Sequence, residues 1–288
     1  MSVEPLLNPY YERVKVEADA WAAMIYGLDE RMTKRNVKAN FTYMNAIWAS
    51  HADEEAYRKM VDWHHWVFAF DDQFDEGPFK EDAYLAQREI DATIAIMTDE
   101  HPPIPNESCP IRHVFQTTWK RLSERADPGQ QERWIKNYKD YCTGLIRQVE
   151  IQKTRKRLTV DEYIDFRRQS IGAMPSCSLV EYACGITISQ SVLDHPSSVE
   201  CEKISADLVF LVNDVLSLRK DLELGVEHNL ILLIKNQGLT DQEAVVLRYV
   251  EGCRNIALDN LYWSYKSGRY LKDEGPLVRA TRILNLPA

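Results

Sequence analysis

The fold class predicted by the sequence is all-α, a bundle of ten or more helices. Apolar residues recur along most of the chain at the spacing of amphipathic helices, and the alternating patterns of strands are almost absent. The 288 residues include only 11 glycines and 12 prolines, and no segment rich in serine, glycine or proline divides them. A chain of this length can form one large helical domain around an internal cavity. We therefore expect one domain over residues 1–288.

The charge of the chain limits its partners. It has 35 basic and 44 acidic residues, which give a formal net charge of −9. A surface with this charge is a poor match for nucleic-acid phosphates. No apolar run approaches the roughly 18 residues of a membrane helix, and the start MSVEPLLNPYYERVKVE lacks the basic and apolar regions of a secretion signal. We therefore expect no nucleic-acid partner, no membrane span and a cytoplasmic location.

The first helix with a chemical pattern is predicted in EEAYRKMVDWHHWVFAFDDQFDE, which has no helix breaker before Gly77 and Pro78. Asp71 and Asp75, called the first row below, lie four residues apart, so their carboxylates share one helical face and repel each other. A solvated acidic turn would tolerate this repulsion, but the aromatic residues that precede it indicate partial burial. Mg²⁺ would remove the repulsion, because it binds one or two carboxylates and takes its other oxygens from water and substrate phosphates. Taken alone, the pattern fits either interpretation.

The middle of the chain contains two predicted loops, EHPPIPNESCP and RADPGQQER. Two later helix starts have the spacing of a capping box, in which a threonine is followed three residues on by a glutamate. They are Thr159 with Glu162, and Thr240 with Glu243.

Another long helix is predicted in ISADLVFLVNDVLSLRKDLELG. Leu208, Val212, Val215 and Leu222 recur at helical spacing, and Gly225 stands where a helix would end. We expect these four apolar residues to form the buried stripe of this helix.

The same helix carries a second group of polar residues. Asn213, Ser217 and Asp221, called the second row below, lie at positions i, i+4 and i+8. On one α-helix they form a row that drifts by about 40° per step, and their oxygens could bind one more hard cation. The alternative is an outer polar face of an amphipathic helix. Against it stands the position of Asn213 inside the apolar run LVFLVNDVL, where a polar side chain needs a partner.

Two such rows on separate helices, together with the aromatic residues, resemble the class I terpene synthases, and most closely the fungal sesquiterpene cyclases. DDQFD looks like the aspartate-rich motif of that family, and NDVLSLRKD looks like its second metal motif, N-D-x-x-S-x-x-x-[ED]. The resemblance extends over residues 71–270, most of the chain. It implies a single-domain helical bundle around a central apolar cavity. It also implies these metal ligands: Asp71, Asp75, Asn213, Ser217 and Asp221.

The resemblance also implies residues that contact the substrate. Lys220 is similar to the family lysine that contacts diphosphate, and Arg269 with Tyr270, at the end of WSYKSGRY, resembles the C-terminal pair that closes over it. Trp263 and Phe68 are expected to line the cavity. Further candidates for its floor are more simply read as core residues: Trp66, Phe70 and Tyr182.

A diphosphate-sensing arginine is implied in LTVDEYIDFRRQSIGAMPSCSLVEYA, which is similar to the sensor region of the family. Arg167 and Arg168 lie 46 and 45 residues before Asn213, so spacing does not choose between them. We favour Arg168, because Gly172 then follows four residues later, where the family has a helix break.

The function implied by the resemblance is a Mg²⁺-dependent cyclase of fungal secondary metabolism, with about three metal ions. It would ionise a prenyl diphosphate, in first place farnesyl diphosphate, and release a sesquiterpene olefin or alcohol. A chain-elongating trans-prenyltransferase would normally show a second D-D-x-x-D helix, which this chain replaces with N-D-x-x-S-x-x-x-D. A non-catalytic helical binding protein would have no reason to carry both rows. The protein is expected to act as a monomer or homodimer.

Overall fold

The computed structural model describes residues 5–98, 101–226, 228–236 and 275–281. All regular elements within these ranges are α-helices, which confirms the all-α prediction. Among the same residues, none of the helices is both long enough and apolar enough to cross a membrane. The helices are α1 (Tyr11–Ile25), α2 (Glu30–Ala39), α3 (Phe41–Trp48), α4 (Glu54–Asp75), α5 (Ala83–Thr98), α6 (Pro110–Ser123), α7 (Pro128–Thr154), α8 (Val160–Ser170), α9 (Ala173–Ala183), α10 (Gln190–Leu193), α11 (Pro196–Leu224), α12 (Leu230–Asn236) and α13 (Gly275–Thr281).

The chain divides into two compact units. The larger unit comprises Leu6–Ile234, and the smaller one comprises Met1–Pro5 with Lys235–Ala288. Helices α1 to α11 belong to the larger unit, α13 belongs to the smaller one, and α12 extends across the boundary. Both rows lie in the larger unit.

Helix α4 carries the first row at its C-terminal end and is anchored in an aromatic core. It begins because the side chain of Asp53 accepts a hydrogen bond from the backbone N–H of Ala56, at 2.9 Å. Trp66 is fully buried and stacks on Phe70 and Phe115, with ring centroids 4.8 and 4.2 Å apart. Burial of each such side chain stabilises the fold by roughly 1.5–3 kcal/mol. The first row therefore lies at the end of a helix that is well packed in the core.

Helix α7 starts inside the segment RADPGQQER, which the sequence predicted to be a loop. Asp127 and Gln130 form a reciprocal capping box, and Pro128 occupies the first helical turn, where its missing N–H costs nothing. Further along, a β-carbon at Gly144 would lie 2.7 Å from the backbone nitrogen of Ser170. Only glycine allows α7 and α8 to approach this closely.

Helices α8 and α9 are separated by a sharp break. The capping box of Thr159 and Glu162 starts α8 as predicted, whereas Thr240 and Glu243 lie outside the described residues. Gly172, with φ of +72°, precedes the first residue of α9. This left-handed conformation favours glycine, and it confirms a helix break at Gly172.

The prediction for the buried stripe of α11 is wrong. Leu208, Val212 and Leu222 are 55%, 42% and 56% exposed in the structure. The buried row is instead formed by Ala206, Phe210 and Asp214, on the side that packs against α8. Helix α11 has apolar residues on more than one face, so periodicity identifies the helix without showing which face is buried.

Candidate metal and diphosphate site

The first row lies where α4 ends, and it is held from the side by α7. Asp71 and Asp75 are both half-buried. The hydroxyl of Tyr141 donates a hydrogen bond to Oδ1 of Asp71, at 2.6 Å, and Nε2 of Gln148 donates one to Oδ1 of Asp75, also at 2.6 Å. Both donors are electrically neutral, so they orient the carboxylates without cancelling their charge.

Removal from water changes the acidity of the first row. Burial raises the pKa of Asp71 to about 8, and the negative charge of Asp75 contributes to this increase. Burial also raises the pKa of Asp75, against the hydrogen bond from Gln148 and the positive charge of Arg167. A cation bound here would favour the ionised carboxylates and relieve this electrostatic cost.

The second row lies on α11 and makes a different set of contacts. The hydroxyl of Ser217 donates to Oδ2 of Asp221 at 2.6 Å, and Nδ2 of Asn229 donates to the same oxygen at 2.9 Å. Oδ1 of Asn213 accepts a hydrogen bond from Nη2 of Arg167 at 3.0 Å. Each side chain of the second row is therefore held by at least one hydrogen bond. The partners are Arg167, Asn229 and the row itself.

Two cations connect the rows. Lys220, on α11, forms an ion pair with Glu76, which directly follows α4. Arg167 is buried, which works against its charge, yet the pKa of its guanidinium is raised. The groups that raise this pKa belong to both ends of the site: Tyr163, Asp214, Asp75 and Asp71. The structure thus brings the first row, the second row and two cations into one region.

The two adjacent arginines, Arg167 and Arg168, have different hydrogen-bond partners. Arg167 is 8% exposed, and its Nη2 also lies 3.1 Å from Oδ1 of Asp214. Arg168 instead forms a two-point ion pair with Asp207, at 2.6 and 2.7 Å, and is more exposed to solvent. The preference for Arg168 from the position of Gly172 therefore has no support in these contacts. Arg167 is the arginine that faces the second row.

The other sequence-derived candidates fall in three places. Phe68 is 40% exposed, stacks on Phe41 with centroids 4.3 Å apart, and lies seven residues before Asp75 on the same side of α4. Gly172 lies beside the ring of Tyr141. Trp66, Phe70 and Tyr182 are buried in the core, and Trp263, Arg269 and Tyr270 lie outside the described residues.

Several residues of the site escaped the sequence analysis. Tyr163 donates to Oδ2 of Asp214 at 2.6 Å, and it lies four residues before Arg167, so helical spacing could have identified it. Asn229 was missed because it directly precedes α12 and lies outside both rows. Tyr141 and Gln148 had no signal, since their partners in the first row are 70 and 73 residues away.

The donor set fits a hard divalent cation. The first row supplies two carboxylates, and the second row supplies an amide, a hydroxyl and a carboxylate. Within the described ranges no group of three or more His, Cys, Asp and Glu side chains forms a complete metal site. The rows therefore suit an ion that takes part of its shell from water or phosphate, as Mg²⁺ does, better than Zn²⁺ with its four protein ligands.

The comparison with known families decides the identity. Residues 62–248, which include both rows, match the profile described as terpene synthase family 2, C-terminal metal binding. The chain belongs to the terpene synthase family. As a member of this metal-binding family it binds divalent metal ions, and the resemblance to terpene cyclases is confirmed.

Curated relatives and solved structures agree with this membership. Terpene cyclase 4 of Gibberella fujikuroi is 40% identical, with 100% of this chain and 87% of the relative covered. The (+)-eremophilene synthase of the same fungus is 37% identical, with 99% and 90% covered. A crystal structure of α-eudesmol synthase aligns with a TM-score of 0.73 over 98% of this chain and 88% of that one, at 21% identity. This terpene synthase therefore has the helical fold of the class I enzymes.

Proposed function

We propose that this terpene synthase uses Mg²⁺, in about three ions, to ionise farnesyl diphosphate and release a sesquiterpene with diphosphate. The observation that carries the proposal is the meeting of the two oxygen-bearing rows with Arg167 and Lys220. The relatives named above support the C15 substrate, since one of them is an eremophilene synthase. The substrate, the metal and the ion count belong to this proposal.

Binding of the diphosphate follows from charge. A prenyl diphosphate is a polyanion, and the carboxylates of the two rows would repel it unless cations lay between. Asp71 and Asp75 would hold metal on one side, and Asn213, Ser217 and Asp221 on the other. Bound metal would supply positive charge to the phosphate oxygens and to the leaving group.

Arg167 is the side chain of the larger unit best suited to contact the diphosphate directly. Its Nε is buried and has no hydrogen-bond partner among the described residues. A buried N–H without a partner is costly, and an anionic oxygen would satisfy it. We therefore propose Arg167, rather than Arg168, as the diphosphate sensor, with the break at Gly172 next to it.

Ionisation breaks the bond between C1 of the prenyl chain and the diphosphate oxygen. The electron pair leaves with the oxygen, where Arg167 and Lys220 stabilise the developing negative charge. The allylic cation that remains needs an apolar space from which water is excluded. It then loses a proton to give an olefin, or binds water and releases a proton to give an alcohol.

Aromatic side chains are proposed to line that space. Phe68 would present an aromatic face beside the first row, and such a face stabilises a desolvated cation by about 2 kcal/mol. From the sequence alone, Trp263 is proposed to line the cavity, and Arg269 with Tyr270 to close over the diphosphate.

The alternative of chain elongation is disfavoured by the second row. In a second D-D-x-x-D motif, Asn213 and Ser217 would both be aspartates, and Asp214 stands at the middle acid. Asp214 is buried and accepts hydrogen bonds from Tyr163, Arg167 and the backbone N–H of Leu230. Its carboxylate is therefore held by protein groups and does not replace the two missing acids.

The test is incubation of purified protein with farnesyl diphosphate and Mg²⁺, with and without excess EDTA, followed by gas chromatography and mass spectrometry. A C15 hydrocarbon or alcohol that disappears with EDTA is the expected result. Parallel reactions contain geranyl or geranylgeranyl diphosphate, each with and without isopentenyl diphosphate. Elongated diphosphates would establish the prenyltransferase, and no product in any reaction would contradict catalysis.

A further inference from the structure

Two side chains of α7 contact the first row from outside the proposed set of metal ligands. Tyr141 donates its hydroxyl hydrogen to Asp71, and Gln148 donates an amide hydrogen to Asp75. Each bond involves one carboxylate oxygen, Oδ1, and leaves the other oxygen of the same group outside that bond. Such a bond restricts the rotation of the carboxylate, and a metal with strict octahedral geometry binds better to ligands that are already oriented.

The two donors share one face of α7, since they are seven residues, or about two helical turns, apart. Both side chains are buried, so neither sweeps through solvent. The ring of Tyr141 is confined on one side by the break between α8 and α9, because a β-carbon at Gly172 would lie 3.6 Å from its Cε2. On another side the ring of Tyr138 has its centroid 6.3 Å away. The position of the hydroxyl is therefore set by the packing of the ring.

The backbone that carries these donors is also fixed. Gly144 lies between them on the same face, at the closest approach of α7 to Ser170. The two helices pack without room for a side chain at this point, and this close packing restrains α7 between its two donors. The donors thus belong to a rigid element, and rigid elements position functional groups more precisely than loops do.

The neutrality of the donors matters as much as their position. A lysine or arginine in their place would orient the carboxylates but would also neutralise them, and it would compete with a metal ion. A phenol and a carboxamide orient the carboxylates and leave the negative charge available.

We propose that Tyr141 and Gln148 are positioning residues that hold Asp71 and Asp75 ready for the metal ion. This inference rests on the proposed function in one respect, namely that the first row binds metal. It adds two residues of α7 to the site, and it assigns to them an effect on metal affinity rather than on the reacting atoms.

The test is the affinity of the full-length protein for Mn²⁺ alone, measured without substrate from the loss of the free-ion signal in electron paramagnetic resonance. Tyr141→Phe keeps the ring and removes the hydroxyl, and Gln148→Met keeps the length and removes the amide. Each variant should weaken Mn²⁺ binding by about 10- to 100-fold, the usual effect of losing a group that orients a ligand. Saturating metal should restore kcat to within about three-fold, because the ligands themselves remain.

Matched controls come from the same helix. Tyr138→Phe makes the same change one turn earlier, where the hydroxyl donates to Oγ1 of Thr93 in the core, at 2.8 Å. Gln152→Met makes the same change one turn after Gln148, where the amide lies near His228. Both controls should bind Mn²⁺ within two-fold of the wild type. Thermal unfolding in EDTA should not separate each variant from its control, which distinguishes positioning from general loss of stability.

The positioning role is overturned if Tyr141→Phe or Gln148→Met binds Mn²⁺ within two-fold of the wild type. It is also overturned if the controls weaken binding as much as the variants do. The proposed function is tested separately by product formation. Wild-type protein that makes the C15 product while the variants keep full Mn²⁺ affinity contradicts the positioning role alone. Wild-type protein that binds Mn²⁺ and makes no product, with weakened variants, contradicts the proposed function alone.

Discussion

The two rows of this terpene synthase differ in the side chains that form hydrogen bonds with them. In the first row, neutral side chains of α7 bind the carboxylates of Asp71 and Asp75, and an aromatic core supports α4. In the second row, Ser217 bonds to Asp221, and Asn213 bonds to Arg167. Under the proposed function, the first row would accept a cation with its hydrogen bonds in place. The second row would exchange some of its bonds and release Arg167 toward the diphosphate.

The largest effect is expected from removal of charge in the first row. Asp71→Asn has nearly the same shape and can still accept the hydrogen bond of Tyr141, but it lacks the anion that we propose binds metal. Turnover of farnesyl diphosphate should fall by about 10³-fold, measured as product per minute at saturating Mg²⁺. Helical content by circular dichroism should not change.

Asp72→Asn is the matched control, because Asp72 is adjacent to Asp71, exposed, and on another side of α4. Its turnover should fall by less than about ten-fold. Equal losses in the two variants would contradict the assignment of the first row to Asp71 and Asp75.

A smaller effect is expected at the arginine that faces the second row. Arg167→Lys keeps the positive charge but loses the planar donors that reach Asn213 and Asp214, so kcat should fall by about 10²-fold. Arg168→Lys changes only the pair with Asp207, and its kcat should stay within about three-fold of the wild type. The measurement is diphosphate release in a single turnover. A greater loss in the Arg168 variant would restore the original preference for Arg168.

The packing of α4, which carries the first row, should become less stable at acidic pH. His64 and His65 are buried in α4, and burial lowers the pKa of each to about 4. The unfolded chain has histidines with a pKa near 6.5 and binds more protons between these values. Stability is therefore lost as the pH falls from 6.5 toward 4, by roughly 2 kcal/mol per histidine at pH 5.

This loss is measured as the midpoint of urea unfolding, in EDTA, at pH 7 and pH 5. His64→Gln should reduce the difference between the two pH values, whereas His101→Gln, at an exposed position, should leave it unchanged. A difference that is the same in all three proteins would show that His64 is not held neutral.

The smallest effect is expected inside the second row. Ser217→Ala removes a candidate ligand, which should weaken metal binding. It also removes the hydroxyl that bonds to Asp221, which leaves that carboxylate oxygen freer to bind metal. The two effects on metal affinity therefore partly offset each other. The Mg²⁺ concentration for half-maximal rate should rise by about ten-fold. Ser205→Ala, on the exposed side of the same helix, is the control and should leave that concentration unchanged. A loss of turnover at saturating Mg²⁺ equal to that of Asp71→Asn would contradict the expected difference between the rows.

Sequence reasoning succeeded where the pattern is local. The helix that carries Asp71 and Asp75 and the capping box at Thr159 follow from residues within a few positions of each other, and the break at Gly172 follows from the family resemblance. The second row is also a local pattern, and its role as a metal site stays a prediction.

Sequence reasoning failed where the answer depends on which helix faces pack against each other. Leu208 and Phe210 have similar hydropathy, but only Phe210 faces α8. Adjacent Arg167 and Arg168 are about 100° apart on a helix, and only the packing of α8 against α11 shows which one reaches Asn213. The donors on α7 are separated from their partners by more than 60 residues, so no local pattern could identify them.

The most direct test of the difference between the rows is a crystal structure with Mn²⁺ and inorganic diphosphate, in which anomalous scattering locates each metal ion. We expect metal on Asp71 and Asp75 with the hydrogen bonds from Tyr141 and Gln148 retained. We also expect metal on Asn213, Ser217 and Asp221, with the bond between Ser217 and Asp221 broken and Arg167 on the diphosphate. Metal bound away from both rows, or a first row that has left Tyr141 and Gln148, would contradict this account.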